Sequence, residues 1–149
     1  MDGIALPAPI VTRSFRERIS GIRVLLALSV TNVINGILDA LGNNVSFAKA
    51  TVYVKLHIGA PGTSGANNAA ANTTRQLASF GTPSAGSMTT DADILWSNVP
   101  NAETYSHISL WDASTAGNFL GEQALAASKT VAVGDNFRIP TGSLTISGS

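Results

Sequence analysis

The sequence predicts a mainly β protein: an antiparallel β-sandwich or barrel-like domain preceded by an N-terminal extended arm and one α-helix. Three observations carry this expectation. Apolar residues repeat at helical spacing between Val30 and Leu41, alternate at strand spacing from Thr51 to Ile58, and then fall into short runs divided by turn residues. With 149 residues the chain has room for one sizeable core and little more. The expected division is residues 1–29 for the arm and 30–149 for the helix with its β domain.

The arm begins with an apolar stretch, residues 1–12 (MDGIALPAPIVT), that lacks helical periodicity. Pro7 and Pro9 hold the backbone near extended geometry and restrict the residues before them. Such a segment needs cover, either from its own domain or from a partner. Only 12% of residues are charged, and a surface so poor in charge has little protection against association, which favours the partner. Arg13, Arg16, Arg18 and Arg23 against Asp2 and Glu17 give residues 1–23 a net +2; the whole chain is neutral, so the remainder carries −2. A basic arm suits an acidic protein surface or nucleic acid, although a solvated charge cluster is the simpler reading. The expected partner-binding residues are Ile4, Leu6, Pro7, Pro9, Ile10, Arg13, Phe15, Arg16 and Arg18.

The run Val24–Val30 follows arginines in the manner of a signal-peptide core. It is far shorter than the ~20 residues that span a bilayer, so it reads as retained structure. Residues 14–29 fit a helix or a strand equally well. The clear helix starts near Thr31 as N-cap. Val30, Val33, Ile34, Ile37, Leu38 and Leu41 form one face, and Gly42 followed by Asn43 and Asn44 stops it. Gly36 in its middle implies close packing.

From Thr51 to Ile58 the residues Val52, Val54, Leu56 and Ile58 share one strand face, and Tyr53, Lys55 and His57 the other. Gly59–Thr74 is a long loop of small residues, of a length usually functional or mobile. Further strands are expected at Arg75–Phe80, Ile94–Val99, Thr104–Asp112, Asn118–Ala126, Lys129–Val133, Asn136–Ile139 and Ser143–Ser147. Turn residues separate them, including Gly117-Asn118, Gly134-Asp135 and Pro140-Thr141-Gly142.

Catalytic and metal constellations are thin. Cysteine is absent, which removes disulfides and thiolate metal sites. His57 and His107 each sit inside an alternating strand, His107 sharing parity with Tyr105 and Trp111. A shared metal or acid–base site would need both on adjacent strands plus a carboxylate, so they read as hydrogen-bonded structural histidines. Asp91 and Asp93 lack the remaining ligands of a calcium loop and read as a solvated turn. Neither a G-x-S-x-G elbow nor a lysine-bearing phosphate loop occurs. Lys49, Lys55, Arg75, Lys129 and Arg138 are scattered, unlike a nucleic-acid surface. Trp96, Trp111, Tyr53 and Tyr105 could stack on sugars, but core packing is the favoured reading, Trp111 included. The expectation is a protein without enzymatic activity or cofactor, whose partners are neither nucleic acid nor membrane.

Several segments together carry a family resemblance. Gly36–Leu41 (GILDAL), Ala50–Gly62 (ATVYVKLHIGAPG), Ser106–Ala113 (SHISLWDA), Gly117–Gly121 (GNFLG) and Lys129–Val131 (KTV) occur in order, followed by Gly134-Asp135, Phe137, Ile139-Pro140 and Leu144–Ile146. The chain thereby resembles small bacteriophage virion structural proteins of a tail-fibre-like or head-decoration-like family. The resemblance covers roughly residues 30–147 and implies a structural role without an active site. Residues 1–29 extend beyond the family's usual start, and Asn67–Thr74 departs from its pattern. A chain of 149 residues lacks the repetitive shaft of a long fibre. Capsid decoration, with the arm on the major capsid protein, is therefore placed ahead of a minor tail or tail-fibre role with receptor or glycan adhesion. Either role implies other copies of the chain as partners, with a trimer expected by analogy, and a place in the virion after assembly in the host bacterial cytoplasm.

Overall fold

The computed structural model describes residues 27–48 and 51–147. The fold is mainly β and antiparallel, with one helical segment at its start. Strand β1 (Ala27–Leu28) leads into a wide π turn, Val30–Ile34, that continues as helix α1 (Asn35–Gly42). The strands that follow are β2 (Val52–His57), β3 (Gln76–Ala78), β4 (Ser87–Thr89), β5 (Ile94–Trp96), β6 (Glu103–Trp111), β7 (Phe119–Val131), β8 (Phe137–Ile139) and β9 (Thr145–Ser147). The proposed arm residues Ile4 to Arg18 lie outside the described residues.

One five-stranded sheet, in the order β1-β7-β6-β2-β3, forms the body of the domain. The second layer is not a continuous sheet. It consists of two ribbons, β5 with β8 and β4 with β9. Strand β2 opens with Val52, Tyr53 and Val54, β-branched and aromatic residues that suit a pleated half-buried surface. Its register with β6 sets Val54 opposite Leu110 and Leu56 opposite Ile108, all essentially fully buried. Ile94, Trp96, Phe137, Ile139 and Leu144 of the ribbons close over them. Trp96 packs on Phe137 at 5.7 Å between ring centroids and donates its indole N–H to the Thr74 carbonyl oxygen. Burying one large apolar side chain of this kind contributes on the order of 1.5–3 kcal/mol.

Several details differ from the sequence expectation. The helix is capped by Ser29, whose hydroxyl accepts from the Asn32 N–H, and not by Thr31. Its first turn is π-wide because the Ile34 N–H also reaches the Ser29 carbonyl. The two strands expected at 118–126 and 129–133 are one, β7. The Ala-rich middle of that strand has weak β propensity, which made it look like a break. Pairing on both sides of it overrides the propensity: Lys129 lies opposite Tyr105 and Ala124 opposite His107. Four residues of β7 (125–128) therefore face the single Ser106 in a bulge. The bulge also breaks the parity of β6. Tyr105 turns into the core against Phe137, at 5.1 Å between centroids, while His107, Ser109 and Trp111 stay on the opposite face. Strand β4, three residues long, has no counterpart among the expected strands.

Candidate functional site

Helix α1 presents the most exposed apolar surface among the described residues. Its N-terminal turn is fixed to the sheet: Asn32 Nδ2 donates to the Phe119 carbonyl oxygen at 2.8 Å, and Val33 is buried beneath it. Gly36 leaves room for the Phe47 ring, into which a β-carbon at that position would run, so the chain after the helix folds back along it. Asn43 Nδ2 bonds Asp39 Oδ1 at 2.9 Å and occupies the only charge on the helix. Beyond these attachments α1 has no buried residue. Val30, Leu38 and Leu41 are 65%, 58% and 80% exposed, and Ile37 and Val45 are exposed beside them. Helical periodicity on a monomer ordinarily turns such a face to the core; here Val33 alone is buried and Ile34 is half-buried.

The second candidate is the sheet face opposite the core. Register places Tyr53 opposite Trp111, Lys55 opposite Ser109 and His57 opposite His107, with Glu122 beyond Ser109 on β7. The pairing thus brings together the two histidines whose adjacency the sequence could not establish. The long loop 59–74 lies over this face and is tied down. Ile58 and Ala70 amides donate to the Asn68 and Leu56 carbonyls, Asn67 N–H to the Pro61 carbonyl, and the Ala71 amide to the Glu103 carboxylate.

Beneath the loop runs a chain of hydrogen bonds. Trp111 Nε1 donates to Ser109 Oγ at 2.8 Å, and Ser109 Oγ lies 2.8 Å from His57 Nε2. His57 Nδ1 lies 2.8 Å from the Asn67 carbonyl oxygen, which can only accept. Nδ1 therefore carries the proton, and the Ser109 hydroxyl donates to Nε2. Burial, the larger effect, holds the His57 pKa below its ordinary value, with the Lys55 charge adding to it. A serine hydroxyl donating to an oriented imidazole has the outline of a nucleophile and its base. Here both side chains have zero exposure and the hydroxyl already serves Trp111. The arrangement can fix a tautomer and hold a loop; it has no route to a substrate. His107 bonds separately to Ser106 Oγ. Among the described residues no group of three or more His, Cys, Asp or Glu side chains could hold a metal ion.

The aromatic residues separate by face. Trp96 and Tyr105 are core residues and unavailable for sugar stacking. Trp111, for which core packing was expected, is half-buried on the opposite face, edge-on to Phe119. The Arg75 guanidinium sits 3.7 Å over its ring and donates to the Ala113 and Ala116 carbonyls. Asp91 and Asp93 are both exposed, as a solvated turn requires, but Asp93 is engaged. It accepts from the Thr141 amide and hydroxyl and from Arg138, which joins the turn to the end of β8. No described helix is long and apolar enough to cross a membrane.

No curated protein matches the chain. A family model described as podophage GP4 fiber I protein gp80 matches residues 29–147, about four-fifths of the sequence, and its start coincides with the Ser29 cap of the helix. The family resemblance read from the sequence thus holds at the level of a phage tail-fibre-like structural family, and the chain belongs to the gp80 fiber I family, a component of the virion.

Proposed function

We propose that the chain is a non-enzymatic subunit of the phage tail-fibre apparatus, attached to neighbouring tail proteins or to further copies of itself through the apolar face of α1 and residues 1–29. The observation that carries this reading is the set of exposed apolar side chains Val30, Ile37, Leu38, Leu41 and Val45 on and just after the helical segment. Exposed large apolar side chains gathered on one short segment suit a surface used for association, and each one fully covered by a partner adds about 1.5–3 kcal/mol. The arm residues Ile4, Leu6, Pro7, Pro9, Ile10 and Phe15 supply more apolar area, and Arg13, Arg16 and Arg18 suit an acidic partner surface. Capsid decoration stood ahead on sequence grounds; the fibre family match favours the tail instead.

The test is incorporation into particles. A chain carrying Leu38→Asp and Leu41→Asp, and a second lacking residues 1–20, should each keep the β fold by circular dichroism. Each should also fall by about tenfold or more in purified particles, the equivalent of about 1.4 kcal/mol of lost attachment. Normal incorporation of both would overturn the proposal.

A further inference from the structure

A cavity of about 320 Å3 opens at the foot of the helical segment, on the sheet face opposite the core. Its walls include Leu28, Val30, Thr31, Thr63, Phe119 and Glu122. In the register Glu122 stands between Ala27 of β1 and Ser109 of β6 and shares their face. One oxygen of its carboxyl group, Oε2, is buried and accepts no hydrogen bond. The neighbouring groups are already engaged. The Ser109 hydroxyl donates to His57 and accepts from Trp111. His57 spends its one proton on the Asn67 carbonyl, and burial holds the ring neutral by lowering its pKa. Among the described residues no lysine or arginine pairs with Glu122. Arg75 lies over Trp111 and donates to the Ala113 and Ala116 carbonyls, and Arg138 pairs with Asp93.

Two properties of the cavity say what would complete it. The first is continuity. Val30 is both a wall of the cavity and one of the exposed apolar side chains of the helical segment. A partner laid across Val30 and α1 therefore also covers the cavity. The second is charge. Covering the cavity withdraws water from a carboxylate that already has one buried oxygen without a partner. A carboxylate so placed needs a positive group and the hydrogen bonds that come with it. The remaining wall is apolar at Leu28, Val30 and Phe119 and carries hydroxyls at Thr31 and Thr63. A methylene stem suits the apolar part, and a planar guanidinium can donate to the carboxylate and to hydroxyls at once.

We infer that this cavity receives an arginine side chain of the protein that covers α1, with Glu122 as its counter-charge. The guanidinium donates to the Glu122 carboxylate, and its stem lies along Leu28, Val30 and Phe119. The inference rests on the attachment proposed above and gives it a chemistry. The exposed apolar side chains supply area, and Glu122 supplies selectivity. A partner without a basic side chain at this point leaves the carboxylate covered and unpaired, which disfavours it. Lysine matches the charge but not the planar, two-pronged donation.

The free chain supplies the test, separately from particle incorporation. N-acetyl-arginine amide, added at constant ionic strength, should shift the amide resonances of Thr31, Thr63 and Glu122 in a saturable way. N-acetyl-norleucine amide, of similar length and without charge, should not. Equal shifts from both compounds, shifts reproduced by magnesium chloride alone, or no saturable shift would each overturn the inference. These measurements use the unaltered protein and do not depend on a variant folding. Glu122→Gln should then weaken arginine binding by about tenfold or more, the equivalent of about 1.4 kcal/mol. Unchanged binding in a folded Glu122→Gln chain would likewise overturn it.

Discussion

A β-carbon on Gly121 would stand 2.6 Å from the carbonyl oxygen of Ala27, closer than such atoms approach one another. Strand β1 can lie against β7 only because position 121 is glycine. That contact also sets where the helix starts, because Ser29 follows β1 directly and bonds the Leu120 carbonyl. Gly121→Ala should therefore force β1 away from the sheet. The expected cost is about 1–3 kcal/mol, read as a lower denaturation midpoint in urea. Stability within error of the parent chain would show that β1 contributes nothing to the domain.

The bonds around His57 give a second expectation. Ser109→Ala removes the hydroxyl that accepts from Trp111 Nε1 and donates to His57 Nε2, and takes the partner from the buried imidazole nitrogen and from the half-buried indole N–H. A loss of about 1–3 kcal/mol follows, with the loop 59–74 loosened. Faster amide exchange at Asn67 and Ala70 would check the loop, and unchanged exchange there would separate the loop from the network.

The same residue carries a pH dependence. Its folded pKa is depressed, chiefly by burial, so between that value and the unfolded value of about 6.5 the unfolded chain binds the proton more readily. Stability from this group is complete above about pH 6.5 and declines as pH falls toward the folded pKa. The melting temperature should drop over that window. In His57→Gln the drop should be absent, although the variant starts from a lower stability at neutral pH. An identical acid profile in both proteins would place the titrating group elsewhere.

Asp93 acts in the same direction but at lower pH. The Thr141 amide first, then the Thr141 hydroxyl and Arg138, hold its carboxyl below the ordinary carboxylate value. Its contribution is present above the unfolded pKa and is lost as pH falls through the folded one. The side chain is exposed, so the effect on global stability is small. The sensitive readout is local: Asp93→Asn should speed exchange at the Thr141 amide while leaving the sheet β1-β7-β6-β2-β3 protected.

How much was legible in the sequence depends on whether local pattern or tertiary contact decides each element. Val52–His57 and Glu103–Trp111 alternate strongly and were expected within a residue of their observed ends. The helix was visible from its apolar repeat, yet its cap was misplaced by two residues. Ser29 and Thr31 are both competent caps, and the choice is made by Asn32 bonding the distant Phe119 carbonyl. The continuity of β7 could not be seen, because its Ala-rich centre is held by partners far away in sequence.

The candidate surface was half legible. Periodicity named Val30, Ile37, Leu38 and Leu41 as one face, but periodicity alone reads as a buried face. The exposure appears only when the helix is seen to stand on Val33 and Asn32. The His57 network was hidden for a similar reason. His57 and Ser109 are 52 residues apart, and nothing in the spacing announces the register that joins them. Core packing of Tyr105 is observed, but the parity that groups it with His107 and Trp111 fails, because a bulge leaves no signature in alternation.

The central claim is that this gp80-family chain is a tail-fibre subunit held by its α1 face and N-terminal segment. Immunogold labelling of intact particles, with an antibody raised to the β domain, tests it most directly. Gold clustered over the tail is the expected result, and it should be lost from particles made with the Leu38→Asp, Leu41→Asp chain. Gold spread over the head would contradict the claim and restore capsid decoration as the role.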